Sequence, residues 1–272
     1  MLEQERNERI QRGREWIRWT DLEFESDQEL KRVQPPLTKA AVSEQRIGLP
    51  KQFQSLNLKK DFVEIIFRRR SNRIFTQEKM TLLELSFLLW STQGVKEIRG
   101  NQYATLRTVP SGGARHPFET YLFVGQVEGL EPGLYHYLPL EHELELLKKI
   151  DFQNEEFKEQ FVQSVCGQKW ALKANVTFFY SIVPYRGEWR YAFDAHRVMM
   201  MDAGHVTENL YLACSAMNLG TCAIAAADTK IGTEMFSLDG EEEFVFYVAP
   251  VGTISEQNEE EEQSFYAFLK EE

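Results

Sequence analysis

Cysteine is sparse in this chain: its 272 residues contain Cys166, Cys214 and Cys222, with no CxxC pair and no metal-like spacing to histidine. That scarcity argues against a disulfide framework or a zinc site and fits a reducing compartment. Long apolar runs are missing too. No stretch reaches the roughly 18 residues needed to span a bilayer, so no membrane attachment is expected. The opening Met1-Leu2-Glu3-Gln4-Glu5-Arg6 is charged, unlike a secretory signal, and a cytoplasmic location is expected. Positive charge is in deficit, with 31 basic against 42 acidic residues and a formal net charge of −11. A field of that sign disfavours general nucleic-acid binding and adhesion to anionic membranes, although a local basic pocket can still take an anionic ligand. Two nucleotide signatures are also missing. No glycine-rich loop closes in Gly-Lys-Ser/Thr, and no GxGxxG lies between a strand and a helix.

What is present is enough apolar residue for a core: 43% of the chain, with 19 phenylalanines. Residues 1–58 read as an N-terminal arm or cap. They are charged, carry Pro35, Pro36 and Pro50, and offer Trp16, Ile17, Trp19, Leu22 and Phe24 as docking side chains. Residues 59–254 read as the main domain. Residues 255–272 read as an acidic tail, in which Glu259-Glu260-Glu261-Glu262 is a solvated charge run.

Within the main domain, Asp61 and Thr81 open helices with capping-box patterns, the second ending at Gly94. Thr120–Val124 and Leu134–Tyr137 flank a Gly129–Gly133 turn and read as an antiparallel pair. Asn154–Cys166 has helical spacing, Val176–Val183 is a buried strand, and Phe244–Val248 is a late strand. Residues 196–219 form the longest helix candidate, apolar on almost every side and hence central. A short helix over Lys230–Met235 follows. The irregular alternation of helices and antiparallel strands predicts an α+β fold.

Three segments carry candidate chemistry. Arg68-Arg69-Arg70-Ser71-Asn72-Arg73 concentrates guanidinium forks and a hydroxyl, which suit phosphate oxygens; the plain alternative is a solvated basic stretch. Pro110-Ser111-Gly112-Gly113-Ala114-Arg115 pairs glycines that let a backbone approach a flat ligand with donors on either side; the plain alternative is a tight turn. Asp202-Ala203-Gly204-His205 leads along the long helix to Asn218-Leu219-Gly220 and then to Cys222-Ala223-Ile224-Ala225-Ala226, a small-residue loop with room for a ligand. In that helix His205 reads as a satisfied core histidine and Met199–Met201 as core packing.

In order and spacing, these segments together resemble the nitroreductase family of flavoproteins. Gly129-Leu130-Glu131-Pro132-Gly133-Leu134-Tyr135-His136-Tyr137 is similar to the branch of SagB-type dehydrogenases. The resemblance covers roughly residues 60–253 and leaves residues 1–55 unmatched. It implies a nitroreductase-like α+β fold, a central antiparallel sheet surrounded by helices, and a homodimer with FMN at the dimer interface. It further implies that Arg69, Arg70, Ser71 and Arg73 hold the FMN phosphate and ribityl chain. Pro110, Ser111, Gly112, Gly113 and Arg115 would border the ring from the partner subunit. Ala223, Ile224, Ala225 and Ala226 would pack along the ring with one N–H aimed at N5. No metal is implied.

The likeness breaks at two places. The Lys-Tyr pair of SagB-type azoline oxidases falls on Arg190 and Tyr191, and an arginine cannot serve as a base at neutral pH. The basic residue that many nitroreductases carry beyond the last strand is replaced by Thr253, Ile254, Ser255 and glutamates. Three readings follow. The first is an FMN oxidoreductase acting on a small or peptide-derived heterocycle, with Tyr191 and Arg190 as catalytic candidates. The second is a nitro or quinone reductase using NAD(P)H as electron donor. The third is a non-catalytic scaffold of a peptide-modifying complex.

Overall fold

The computed structural model describes residues 3–18 and 25–265. Helix α1 (Glu3–Ile17) is exposed along its length. Strand β1 (Arg46–Gly48), helix α2 (Phe62–Arg68) and helix α3 (Leu82–Gln93) follow. Asp61 caps α2 by accepting the Glu64 N–H at 2.9 Å. Thr81 and Glu84 close a full capping box on α3. A hairpin of β2 (Val95–Arg99) and β3 (Ala104–Arg107) precedes the main sheet strands β4 (Phe118–Val124), β5 (Gly133–Leu138) and β6 (Glu143–Lys149). Then come α4 (Glu155–Ser164), β7 (Val176–Ile182), α5 (Tyr185–Tyr191), the long α6 (Ala195–Met217), β8 (Leu219–Thr221), α7 (Thr229–Met235), β9 (Phe244–Thr253) and α8 (Glu256–Phe265).

Among the described residues, seven strands form one antiparallel sheet in the order β1-β6-β5-β4-β7-β9-β8. Strands β4 and β7 lie at its centre, and every residue of both is buried. Their alternate side chains feed two cores. One face packs Leu122, Phe178 and Tyr180 against α3 and α6 through Leu85, Leu89, Val206 and Leu210. The other packs Phe123 and Phe179 against α4 and α7 through Phe161, Met235 and Phe236. This is the expected α+β architecture, with the long helix laid across the sheet.

The arm lies on the domain through bonds that composition did not announce. Its Lys39 N–H goes to the Glu119 carboxylate at 2.7 Å, and the Val42 and Ser43 N–H groups both go to Glu145 at 2.7 Å. Those carboxylates are buried, and His136 sits between them, 2.7 Å from Glu145 and 3.2 Å from Glu119. Against the cost of burial, the two carboxylates push the His136 pKa up, and Arg186 with His136 holds Glu119 well below the usual carboxylate range. Farther along, Arg186 and Arg107 donate to the Pro36 and Leu37 carbonyls, and β1 adds the arm to the sheet edge.

Several local expectations need correction. Trp16 and Ile17 are exposed, since α1 buries no residue, and its Ile17 carbonyl accepts a bond from Arg197 at 3.3 Å; Trp19, Leu22 and Phe24 lie outside the described residues. The long helix is not apolar all round. Met199 is core, but Met200, Met201 and His205 are exposed, since that stripe of α6 turns away from the sheet. The glutamate run is not wholly solvated either: it belongs to α8, and Glu262 is 7% exposed.

Candidate functional site

Two clusters gather the sequence-predicted residues, and α6 carries both. The first surrounds the glycine loop. Ser111 donates its hydroxyl to the Asp202 carboxylate at 2.6 Å, and the Gly112 N–H reaches the same carboxylate at 3.1 Å. The Ser111 oxygen in turn accepts the His116 N–H at 2.9 Å. Burial pushes the Asp202 pKa up, against the pull of its bonds to Ser111 and Gly112. Loop and helix touch too closely for any side chain: a Cβ on Gly112 would lie 2.2 Å from Val198 Cγ1. At Gly113, where φ is +55°, it would lie 2.5 Å from the Tyr191 hydroxyl and 2.7 Å from Arg190 Cδ. The loop expected to border a ring therefore sits against Tyr191 and Arg190 of its own chain.

Not every donor in this loop faces outward. Pro110 is exposed at the rim. Arg115 is buried and donates to the Tyr103 carbonyl at 2.7 Å and the Gly113 carbonyl at 3.1 Å, with its guanidinium over the Tyr103 and Trp189 rings. It braces the loop from behind. Tyr103, which sequence reading missed, also receives a bond from Arg190 and one from Gln28 of the arm at 3.1 Å. Arg190 lies over the Tyr191 ring, 5.5 Å from its centroid. Arm, hairpin and α5 thus converge on the Arg190–Tyr191 pair.

The second cluster gathers the arginine segment and the small-residue loop. Tyr211, nine residues beyond Asp202 on α6, joins them: its hydroxyl accepts the Ala223 N–H at 2.9 Å and lies 3.3 Å from the Ser71 hydroxyl. Burial pushes the Tyr211 phenol up and keeps it neutral. The Asn72 N–H bonds the Thr221 carbonyl at 2.9 Å, and a Cβ on Gly220 would lie 2.7 Å from Asn72, so only glycine permits this approach. Arg69 stacks on the Tyr211 ring at 5.4 Å. Arg70 is exposed and makes no hydrogen bond or ion pair among the described residues. Arg73 bonds Glu262 at 3.0 Å, and Arg68 bonds Glu64 at 3.3 Å. Lys59, also missed in the sequence, lines the same pocket as Arg68, Arg70, Tyr211 and Ser215 and bonds Asn218.

In the small-residue loop the Ala223 N–H goes to Tyr211 and the Ile224 N–H to the Val248 carbonyl at 2.7 Å. Ile224 itself is buried in the core, which corrects its expected place along an open ring face. Ala225 and Ala226 are exposed, and their N–H groups have no acceptor among the described residues. Open backbone donors, small side chains and a set of guanidinium groups suit an anionic cofactor with a flat polar ring. Clusters of three or more histidine, cysteine, aspartate or glutamate able to hold a metal do not occur among the described residues. Among them, no helix is long and apolar enough to cross a membrane.

Comparison with known proteins gives the family and the fold. The chain is 29% identical over 189 residues to the assigned nitroreductase MJ1384 of Methanocaldococcus jannaschii, covering 70% of this chain and 89% of that one. It is 29% identical over 184 residues to the trifolitoxin-processing protein TfxB of Rhizobium leguminosarum bv. trifolii, covering 64% of this chain and 49% of TfxB. The crystal structure of a nitroreductase assigned in Ralstonia eutropha JMP134 shares the fold, with a TM-score of 0.62 at 24% identity over 86% of this chain and 99% of that one. The model of the Nitroreductase family, whose members are generally FMN-dependent oxidoreductases, matches residues 66–253, and the chain belongs to that family.

Proposed function

We propose that the chain is an FMN-dependent oxidoreductase that oxidises a small or peptide-derived heterocycle in the manner of the SagB-type dehydrogenases. The observation that carries the reading is the Tyr191 hydroxyl set against Gly113, with the Arg190 guanidinium held beside it by Tyr103. A hydroxyl next to a fixed positive charge can hold or pass a proton at the edge of a ligand resting on the glycine loop. Arg190 does not act as a base; it fixes charge and geometry. TfxB, named for trifolitoxin processing, supports a substrate of this kind.

Arg69, Arg70, Ser71 and Arg73 hold the phosphate, and Lys59 adds a cation at the pocket wall. Each guanidinium replaces water that the phosphate loses on binding. The Ala225 and Ala226 N–H groups would be donors to the ring and would fix its orientation. When bound, FMN supplies the hydride acceptor, while the protein supplies position and charge.

One chain does not bring the two clusters together. The nine residues from Asp202 to Tyr211 place them about 13 Å apart along α6. A second copy completes the site by setting its glycine loop against the first copy's arginine segment. The exposed apolar residues Phe62, Val63, Ile66 and Phe67 on α2, with Met200 and Met201 on α6, favour such a homodimer. A cytoplasmic location suits this reading.

A second reading is favoured by the long match to MJ1384: a reductase of nitro or quinone acceptors that takes electrons from NAD(P)H. Anaerobic mixing of the flavin-loaded protein with NADPH separates the two. Flavin that stays oxidised supports the heterocycle oxidase, and prompt bleaching supports the reductase. Protein that retains no flavin and instead binds a modifying partner tightly supports a scaffold.

A further inference from the structure

The acidic C-terminal helix pairs with both ends of the arginine segment, with Arg73 of the proposed phosphate set and with Arg68 at the wall of the same pocket. Glu262 is buried, accepts the Arg73 backbone N–H at 2.7 Å and pairs with its guanidinium at 3.0 Å. Glu259, one helical turn earlier on the same face, lies 3.9 Å from the Arg68 guanidinium and lines the pocket of Arg68, Arg70, Asn72 and Tyr211. The intervening Glu260 and Glu261 face solvent. That pocket, to which α8 contributes Glu259, has about 20 Å³ of free space. That is room for a water molecule and too little for a phosphate. A cavity of about 310 Å³ opens next to it between Lys59, Arg68, Asn218 and the start of α8.

We propose that α8 is an acidic gate on the cofactor pocket: Glu259 and Glu262 hold the arginines in the place of a phosphate, and FMN binds by displacing them. The proposal rests on the reading of Arg68–Arg73 as the phosphate site. The carboxylates and the phosphate compete for the same guanidinium groups, so the apparent FMN affinity is the intrinsic affinity reduced by the fraction of chains with the gate open. The chemistry explains why acidic residues follow the last strand here. A cation in that position would add to the phosphate site; a carboxylate tethered beside it occupies the site at high effective concentration. What α8 places against Arg68 and Arg73 is two carboxylates.

The test is an FMN titration of the full-length apoprotein, followed by quenching of flavin fluorescence, with riboflavin as the ligand lacking phosphate. The double variant Glu259→Gln/Glu262→Gln is expected to bind FMN about tenfold more tightly than the unmodified chain, while riboflavin affinity stays the same. FMN binding that is equal or weaker in the variant overturns the gate and leaves the flavin reading intact. Failure of both proteins to bind either flavin overturns the cofactor reading, and the gate with it. Should the variant not fold, hydrogen exchange in the unmodified chain decides. Residues 256–265 are expected to exchange faster once FMN is bound; unchanged or slower exchange there overturns the gate.

Discussion

The Asp202 carboxylate accepts the Ser111 hydroxyl at 2.6 Å and so ties the glycine loop to the middle of the longest helix. One carboxylate thereby sets the position of the whole Pro110–Arg115 segment against Tyr191. Asp202→Ala leaves the half-buried Ser111 hydroxyl and Gly112 N–H without their acceptor. The expected cost is about 1–3 kcal/mol of unfolding free energy. Equilibrium denaturation in urea measures it, and an unchanged midpoint would remove Asp202 from the account.

Tyr191→Phe removes the hydroxyl set against Gly113 and leaves the ring that packs beside Gly112. Flavin content is expected to match that of the unmodified chain, with turnover reduced about 100-fold or more, as for loss of a proton-transferring group. Full turnover in the variant would take Tyr191 off the list of catalytic residues.

Tyr103→Phe tests the bracing of Arg190 separately. The variant keeps the ring under Arg115 and loses the hydroxyl that Arg190 and Gln28 share. Stability is expected to fall by about 1 kcal/mol, the value of an ordinary hydrogen bond. The larger effect is expected on kcat, with KM nearly unchanged, since Arg190 is fixed for the reaction and not for ligand capture. A change confined to KM would contradict that role.

Buried histidines set the acid limit of stability. Burial, together with Arg107, pushes the His116 pKa down to about 2, and burial pushes His142 down to about 4. Each lies below the ordinary value of 6.5, so each contributes stability that is complete above that pH. The contribution is lost as pH falls through the folded-state values. Glu119, held below its ordinary 4.5, adds a loss at still lower pH. His136 is pushed the other way and works in reverse, its contribution fading as pH rises above 6.5. The urea midpoint is therefore expected to fall steadily from pH 6.5 to pH 4.5. A flat profile over that range would show that these histidines do not stay buried and neutral.

Much of the frame could be read from residues near one another in the chain. The Thr81–Glu84 capping box, the turn between β4 and β5, and the length of α6 are local patterns, and each appears in the structure. The arginine segment and the small-residue loop were legible as pieces. The residues that assemble them were not. Tyr211 carries no local signal within the long helix, yet its hydroxyl meets Ser71, 140 residues away. Glu262 sat in a run that reads as solvent-facing, and its partner Arg73 lies 189 residues earlier. Glu119 and Glu145 carry no local signature of holding the arm. Such contacts depend on tertiary placement, for which spacing along the chain holds no signal.

The account stands most directly on whether the arginine segment holds a flavin. Purified protein is mixed with excess FMN, freed of unbound ligand by gel filtration, and its absorbance read near about 450 nm, where oxidised flavin absorbs. About one flavin per chain is expected for the unmodified protein, and almost none for Arg69→Ala/Arg70→Ala with the fold retained by circular dichroism. A colourless unmodified protein, or a variant with undiminished flavin, would contradict the central claim.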